Sequence, residues 1–227
     1  MSNKIYLLGG SDIKSNDSEE LDKKIFSELS DSPSISVLSW ASEDPESEKS
    51  IGKRDILKNH LANLGAEEIN IVSINDSLED IRNKISSSEM LYIAGGATEN
   101  LLKHIEEKGV AEIIKDFKGI IVGNSAGALC LCKEVVMTAE QHTEASIETG
   151  LGIVDFSVEV HYKEMVDNEL LKLSKDRKIY AIPERAALII DGENMYEFGG
   201  DVYLFENEHK IRFENKEDQE NQEFKIK

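Results

Sequence analysis

Gly119-Ile120-Ile121-Val122-Gly123-Asn124-Ser125-Ala126-Gly127-Ala128 is the stretch on which the fold turns. An apolar run ends at Gly123, a serine follows among small residues, and a helix opens at Ala126. Residues 123–127 match G-x-S-x-G, the pattern of a sharp strand-to-helix turn. Such a turn lifts its serine above the edge of a sheet, and small neighbours relieve crowding at the bent backbone. The helix that follows points free N–H groups and partial positive charge at the site. The Ala126 amide is thereby a candidate oxyanion donor.

Moving outward, short apolar runs alternate with amphipathic stretches. Strands are expected at Ile5–Leu8, Ile35–Trp40, Ile69–Ile74, Met90–Ala94 and Gly119–Val122. Helices are expected at Ser18–Leu29, Ser47–Leu64, Leu78–Ile85, from Thr98 to about Lys108, and from Ala126. The Thr98 hydroxyl is read as the cap of its helix. Near-continuous apolar strands separated by helices predict a doubly wound, mostly parallel α/β sheet with helices on both faces. After about Val135 the pattern changes. Ser157–Val160, Ile179–Ile182, Ala187–Ile190 and the stretch from Met195 to Phe213 read as further strands and hairpins, interrupted by one helix near Met165–Ser174. The expectation is one α/β domain over residues 1–213, with antiparallel strands toward its C-terminal end and a mixed sheet at one edge. Residues 214–227 read as a charged tail.

The chain has 227 residues and a formal net charge of −19. An acidic surface of this size repels phosphate backbones and anionic lipid, so neither nucleic acid nor membrane is an expected partner. The N-terminal apolar run stops at Gly9-Gly10, too short for a signal-peptide core, and no stretch approaches the ~20 apolar residues of a membrane span. Cys130 and Cys132 read as free thiols in a reducing compartment. A cytoplasmic protein, with a homodimer as its candidate assembly, is the resulting expectation.

A serine nucleophile needs a base near neutral pKa, and the chain has five histidines. His60 and His104 lie on amphipathic helices and read as surface or helix-flank residues. His209 falls in the polar turn of a C-terminal hairpin. His161 ends the alternating run Ser157-Val158-Glu159-Val160, and His142 lies in a loop behind the elbow helix. His161 and His142 both remain candidates on this reading. An acid must hold the imidazole in one tautomer. Glu140, Glu144, Asp155, Glu159 and Glu184 are all available, and spacing does not choose among them. Gly95-Gly96 ends another strand, and the Gly96 amide is a candidate second oxyanion donor. Gly9-Gly10 is a similar turn to which no chemistry is assigned.

Three stretches carry a resemblance: Met90-Leu91-Tyr92-Ile93-Ala94-Gly95-Gly96-Ala97-Thr98-Glu99-Asn100-Leu101-Leu102, Gly123-Asn124-Ser125-Ala126-Gly127-Ala128, and Ile182-Pro183-Glu184. They resemble the dipeptidase E and cyanophycinase family of serine peptidases, whose fold is similar to that of class I glutamine amidotransferases. The resemblance runs from the first strand to about Phe205. It implies Ser125 as nucleophile, His161 as base, Glu140 as acid, and Gly96 as oxyanion donor. Glu184 resembles a family glutamate near the pocket and is implied as a substrate contact or second candidate acid. Family members carry arginines shortly after the histidine, suited to an acidic substrate side chain. Here Tyr162-Lys163-Glu164-Met165-Val166-Asp167 has none, and Arg185 is the candidate replacement.

The function expected is therefore a serine-type peptidase acting on small peptides, including dipeptides with an N-terminal aspartate, without a metal or organic cofactor. The alternatives are an isopeptidase or esterase using the same machinery, and a non-catalytic amidotransferase-like binding module.

Overall fold

The computed structural model describes residues 4–13, 17–139 and 146–214. Its strands are β1 (Lys4–Leu8), β2 (Ser34–Leu38), β3 (Glu68–Val72), β4 (Met90–Ile93), β5 (Ile120–Asn124), β6 (Glu134–Met137), β7 (Ser146–Thr149), β8 (Ser157–Glu159), β9 (Ile179–Ala181), β10 (Ala187–Asp191), β11 (Asn194–Phe198), β12 (Tyr203–Glu206) and β13 (His209–Arg212). The helices are α1 (Glu19–Phe26), α2 (Glu48–Asn63), α3 (Leu78–Ser86), α4 (Thr98–Lys108), α5 (Ala111–Asp116), α6 (Ala126–Leu131) and α7 (Asp167–Leu173).

Seven strands form the central sheet in the order β11-β10-β1-β5-β4-β2-β3. β1 to β5 run parallel, and β10 and β11 add an antiparallel edge beside β1. Successive side chains of a strand leave opposite faces of the sheet, so each strand serves two cores. Ile5, Leu7, Leu91, Ile93 and Ile121 face a core that includes Ile81 and Ile85 of α3, Leu101 and Ile105 of α4, and all but Gly127 of α6. Tyr6, Leu8, Val37, Tyr92 and Val122 face Leu21 and Ile25 of α1 and Leu57 and Leu61 of α2. Helices thus cover both faces, as the strand composition implies.

Local chemistry sets the helix ends. Ser47 and Ser77 accept from the amides of Ser50 and Asp80 and start α2 and α3. Gly109 ends α4 in the left-handed region. Thr98 is not the cap of α4. Ala97 holds that position without a side-chain bond, and Thr98 is the first helical residue, buried against the core.

The later strands differ from the expectation of one sheet. β10 and β11 join the central sheet, but β8, β9, β12 and β13 build a second, four-stranded sheet in the order β13-β12-β9-β8. β6 and β7 pair as a separate antiparallel ribbon. The second sheet has its own apolar cluster, including Tyr162, Leu170, Ile179 and Phe205. Of the proposed tail, residues 215–227 lie outside the described residues.

Candidate active site

Adjacent strands β1, β5 and β4 end side by side, and their C-terminal ends carry Gly9-Gly10, Asn124-Ser125 and Gly95-Gly96. In an open parallel sheet such strand ends form the binding crevice. Ser125 is central. Its backbone is left-handed in φ (φ 52°, ψ −113°), a conformation a non-glycine residue holds only under constraint from its surroundings. The constraint is visible: its N–H donates to the Leu8 carbonyl at 3.1 Å, and its own carbonyl accepts from Ala128 and Leu129 at 2.8 and 3.0 Å. The glycine flanking the turn at 127 lets α6 press onto β4, because a Cβ there would stand 2.1 Å from the Ile93 carbonyl oxygen. No side chain caps α6, whose first residue is Ala126.

His161 follows β8 and is also left-handed, with φ 53°. Its N–H donates to the Gly9 carbonyl at 2.7 Å. Its Nε2 lies 2.8 Å from the Ser125 Oγ. Its Nδ1 lies 3.2 Å from Glu184 Oε1, in the connection between β9 and β10. With the serine O–H donating to Nε2, Nδ1 carries the proton and donates to the carboxylate. Ser125, His161 and Glu184 therefore form one hydrogen-bonded row through a single imidazole.

The glycine turn of β1, to which the sequence alone assigns no chemistry, organises that row. Gly10 has φ 120°, and a Cβ on it would sit 2.1 Å from His161 Cε1 and 2.5 Å from Nδ1. The imidazole rests on bare backbone. The Gly10 carbonyl accepts from the Arg185 N–H at 2.8 Å, and the Gly9 N–H donates to the Ala186 carbonyl at 3.0 Å. One turn thus anchors both the histidine and the Glu184 loop. The doublet Gly9-Gly10 directly after an apolar strand was the signal that could have revealed it.

Gly96 stands across the crevice from this turn. With φ 146° and the Ala41 carbonyl oxygen 2.2 Å from where a Cβ would be, only glycine fits, and no turn or loop carbonyl among the described residues accepts from its amide. A cleft of about 790 Å³ runs from Ser125, His161 and Gly96 to α2, where Lys49, Lys53 and Arg54 form its wall. Arg54 is held by Glu46 at 3.0 Å. That guanidinium keeps the Glu46 carboxyl below its ordinary range.

The remaining candidates fall elsewhere. Glu140, His142 and Glu144 lie outside the described residues. Glu159 is buried and accepts from the Thr138 hydroxyl at 2.9 Å. Arg185 does not line the cleft, and its Nε lies 3.6 Å from Asp17. His60 pairs with Asp22 at 3.0 Å. His104 is not a surface residue: it is buried, with Nδ1 2.9 Å from the Trp40 carbonyl. Cys130 and Cys132 are free and buried, and burial raises both thiols. Among the described residues no cluster of three His, Cys, Asp or Glu side chains is arranged to hold a metal, and no helix is long and apolar enough to cross a membrane.

Known proteins similar to this chain are peptidases. An uncharacterized peptidase of Listeria monocytogenes is 28% identical over 153 residues, covering 61% of this chain and 74% of its own length. An uncharacterized peptidase of Pasteurella multocida is 31% identical over 94 residues, covering 38% of this chain and 45% of its own. Two crystal structures share the fold. A peptidase from an acI-B1 Actinobacterium superposes with a TM-score of 0.72 at 17% identity, over 95% of this chain and 96% of that one. A peptidase E protein from L. monocytogenes EGD-e gives 0.65 at 20% identity, over 87% and 98%. The sequence model of peptidase family S51 matches residues 5–198, which include every residue of the row and both glycine turns, and the chain belongs to that family.

Proposed function

We propose that this S51 peptidase hydrolyses small peptides through an acyl-enzyme, with Ser125 as nucleophile, His161 as general base and acid, and Glu184 as the orienting carboxylate. His161 Nε2 takes the proton as Ser125 Oγ attacks the peptide carbonyl, and the Gly96 and Ala126 amides receive the developing oxyanion. His161 then protonates the leaving amine, and water cleaves the acyl-enzyme by the reverse proton path. Glu184 stabilises the imidazolium and fixes the tautomer that leaves Nε2 free to accept. The family resemblance implies Glu140 for this role with Glu184 as second candidate, and Glu140 lies outside the described residues.

The observation that carries this reading is the pair of contacts on one imidazole, 2.8 Å to Ser125 and 3.2 Å to Glu184. A dipeptide with an N-terminal aspartate is the substrate proposed within that class. Such a substrate calls for a cation beside the cleft, and Lys49 and Lys53 line it where Arg185 does not. The test is hydrolysis of a panel of Xaa-Leu dipeptides, with Asp-Leu and β-aspartyl peptides included, by the wild type and Ser125→Ala. Loss of all activity in the variant, with Asp-Leu the best substrate of the wild type, is the expected result. Activity that survives in Ser125→Ala overturns the mechanism, and a flat or apolar preference overturns the substrate.

A further inference from the structure

The residue after His161 is tied down by an arrangement that the chemistry above does not use. Tyr162 is buried in the cluster of the second sheet, its ring 5.6 Å from that of Tyr203 and 6.2 Å from that of Phe205. Its hydroxyl donates to Asp167 Oδ1 at 2.7 Å. The second oxygen of that carboxylate accepts from Lys210 Nζ at 2.8 Å. The same ammonium lies 4.4 Å from the Tyr203 ring centre, 5.4 Å from that of Tyr162 and 5.8 Å from that of Phe205. Lys210 belongs to β13, beyond the last residue matched by the family model.

Stability alone is a poor reason for this placement. Both charged groups keep contact with water, their side chains 22% and 27% exposed, so solvent screening leaves the ion pair itself worth little. What the ionic pair adds is direction, since two bonds on one carboxylate fix the phenol in one place. That fixed point adjoins a strained residue. His161 is left-handed, held on its N-terminal side by Gly9 and on its C-terminal side by the Tyr162 N–H, which donates to the Ile182 carbonyl at 3.1 Å.

We infer that Lys210 and Asp167 are positioning residues for His161, acting through Tyr162, so that the β12–β13 hairpin sets the aim of the imidazole at Ser125. This rests on the proposed catalytic role of His161 but is tested apart from it. Lys210→Met keeps the aliphatic stem against the rings and removes the charge. Lys210→Arg keeps the charge, and Asp167→Asn keeps the shape. Each is compared with the wild type in three ways: kcat and KM on the preferred dipeptide across pH, the rate of labelling of Ser125 by a fluorophosphonate, and the imidazole resonances of His161 by NMR.

For Lys210→Met and Asp167→Asn we expect kcat and the labelling rate to fall together by about tenfold or more, with KM within about twofold, as for a misaimed base. The His161 Nδ1–H resonance should shift or broaden, the limb of the kcat/KM profile that reports His161 should move, and Lys210→Arg should restore most of the rate. Unchanged His161 resonances in Lys210→Met overturn the inference, as does a rate loss that only tracks the fraction unfolded. The NMR readout does not depend on turnover. A wild type that neither hydrolyses peptides nor labels at Ser125 would therefore overturn the peptidase mechanism while the positioning of His161 was still being decided.

Discussion

Replacing Gly10 with alanine is the sharpest test of how the row is built. The new Cβ would lie 2.1 Å from His161 Cε1, where ordinary contact begins at 3.4 Å, so the imidazole must retreat by about 1.3 Å. Backbone relief is unavailable nearby, because the carbonyls of Gly9 and Gly10 hold the His161 and Arg185 amides. A displacement of that size breaks the 2.8 Å contact with Ser125. Misplacing a reacting group by 1 Å costs about 10²-fold, and losing a base outright costs far more, so kcat/KM is expected to fall by about 10²–10⁴-fold. Forcing alanine to φ 120° also costs about 1–3 kcal/mol of folding stability, at about 2–4 °C of Tm per kcal/mol in a chain of this size. The control is Gly109→Ala. It imposes φ 65° on alanine at the end of α4, but its Cβ would meet nothing within 4 Å. Both variants should melt earlier, while only Gly10→Ala should lose dipeptide hydrolysis and fluorophosphonate labelling. Gly10→Ala activity within about threefold of wild type, in folded protein, would refute the claim that bare backbone under the imidazole sets its position.

Other expectations follow from the same geometry. Glu184→Gln should lower kcat by about 10²–10⁴-fold at nearly constant fold stability, whereas Glu140→Gln should stay within about threefold; the reverse pattern in steady-state kinetics would assign the acid to Glu140. Gly96→Ala drives a Cβ to 2.2 Å from the Ala41 carbonyl and turns the amide, so kcat should fall by about 10²–10³-fold with KM little changed. Burial pushes the Cys132 thiol up to about 12 and raises Cys130 as well. Neither should react with a thiol reagent at pH 8 unless the chain unfolds. Because the folded thiols stay protonated where the unfolded ones ionise, their contribution to stability is complete below pH 9 and declines as pH rises toward 12, which denaturant titrations at pH 8, 9.5 and 11 would register.

The parallel half of the fold was legible because its signals are local. An apolar run, a glycine turn and an amphipathic helix recur in order through Leu131, and the elbow identifies itself because Gly123, Ser125 and Gly127 are adjacent in sequence. The short helix α5 and the β6–β7 ribbon escaped detection, having six and four residues to a segment and too little periodicity to separate from loop. The second sheet was read as an extension of the first for a different reason. Ser157–Glu159 and Ile179–Ala181 look like any buried strands, and their pairing with Tyr203–Phe205 rather than with the central sheet depends on long-range contacts that periodicity does not encode.

The same distinction separates the parts of the row. Ser125 is specified by its immediate neighbours, whereas His161 and Glu184 are 36 and 23 residues from their hydrogen-bond partners along the chain. What brings them together is backbone: Ile182 N–H to the Glu159 carbonyl at 2.8 Å, Tyr162 N–H to the Ile182 carbonyl at 3.1 Å, and the two glycines of β1 beneath both loops. Main-chain bonds of this kind leave no trace in side-chain identity except where a Cβ is forbidden. The informative residues for the His161–Glu184 contact are therefore Gly9 and Gly10, not the carboxylates themselves. In a chain with 45 acidic residues, a glutamate says little about itself, while a glycine pair that nothing local requires marks a place where two other segments must approach.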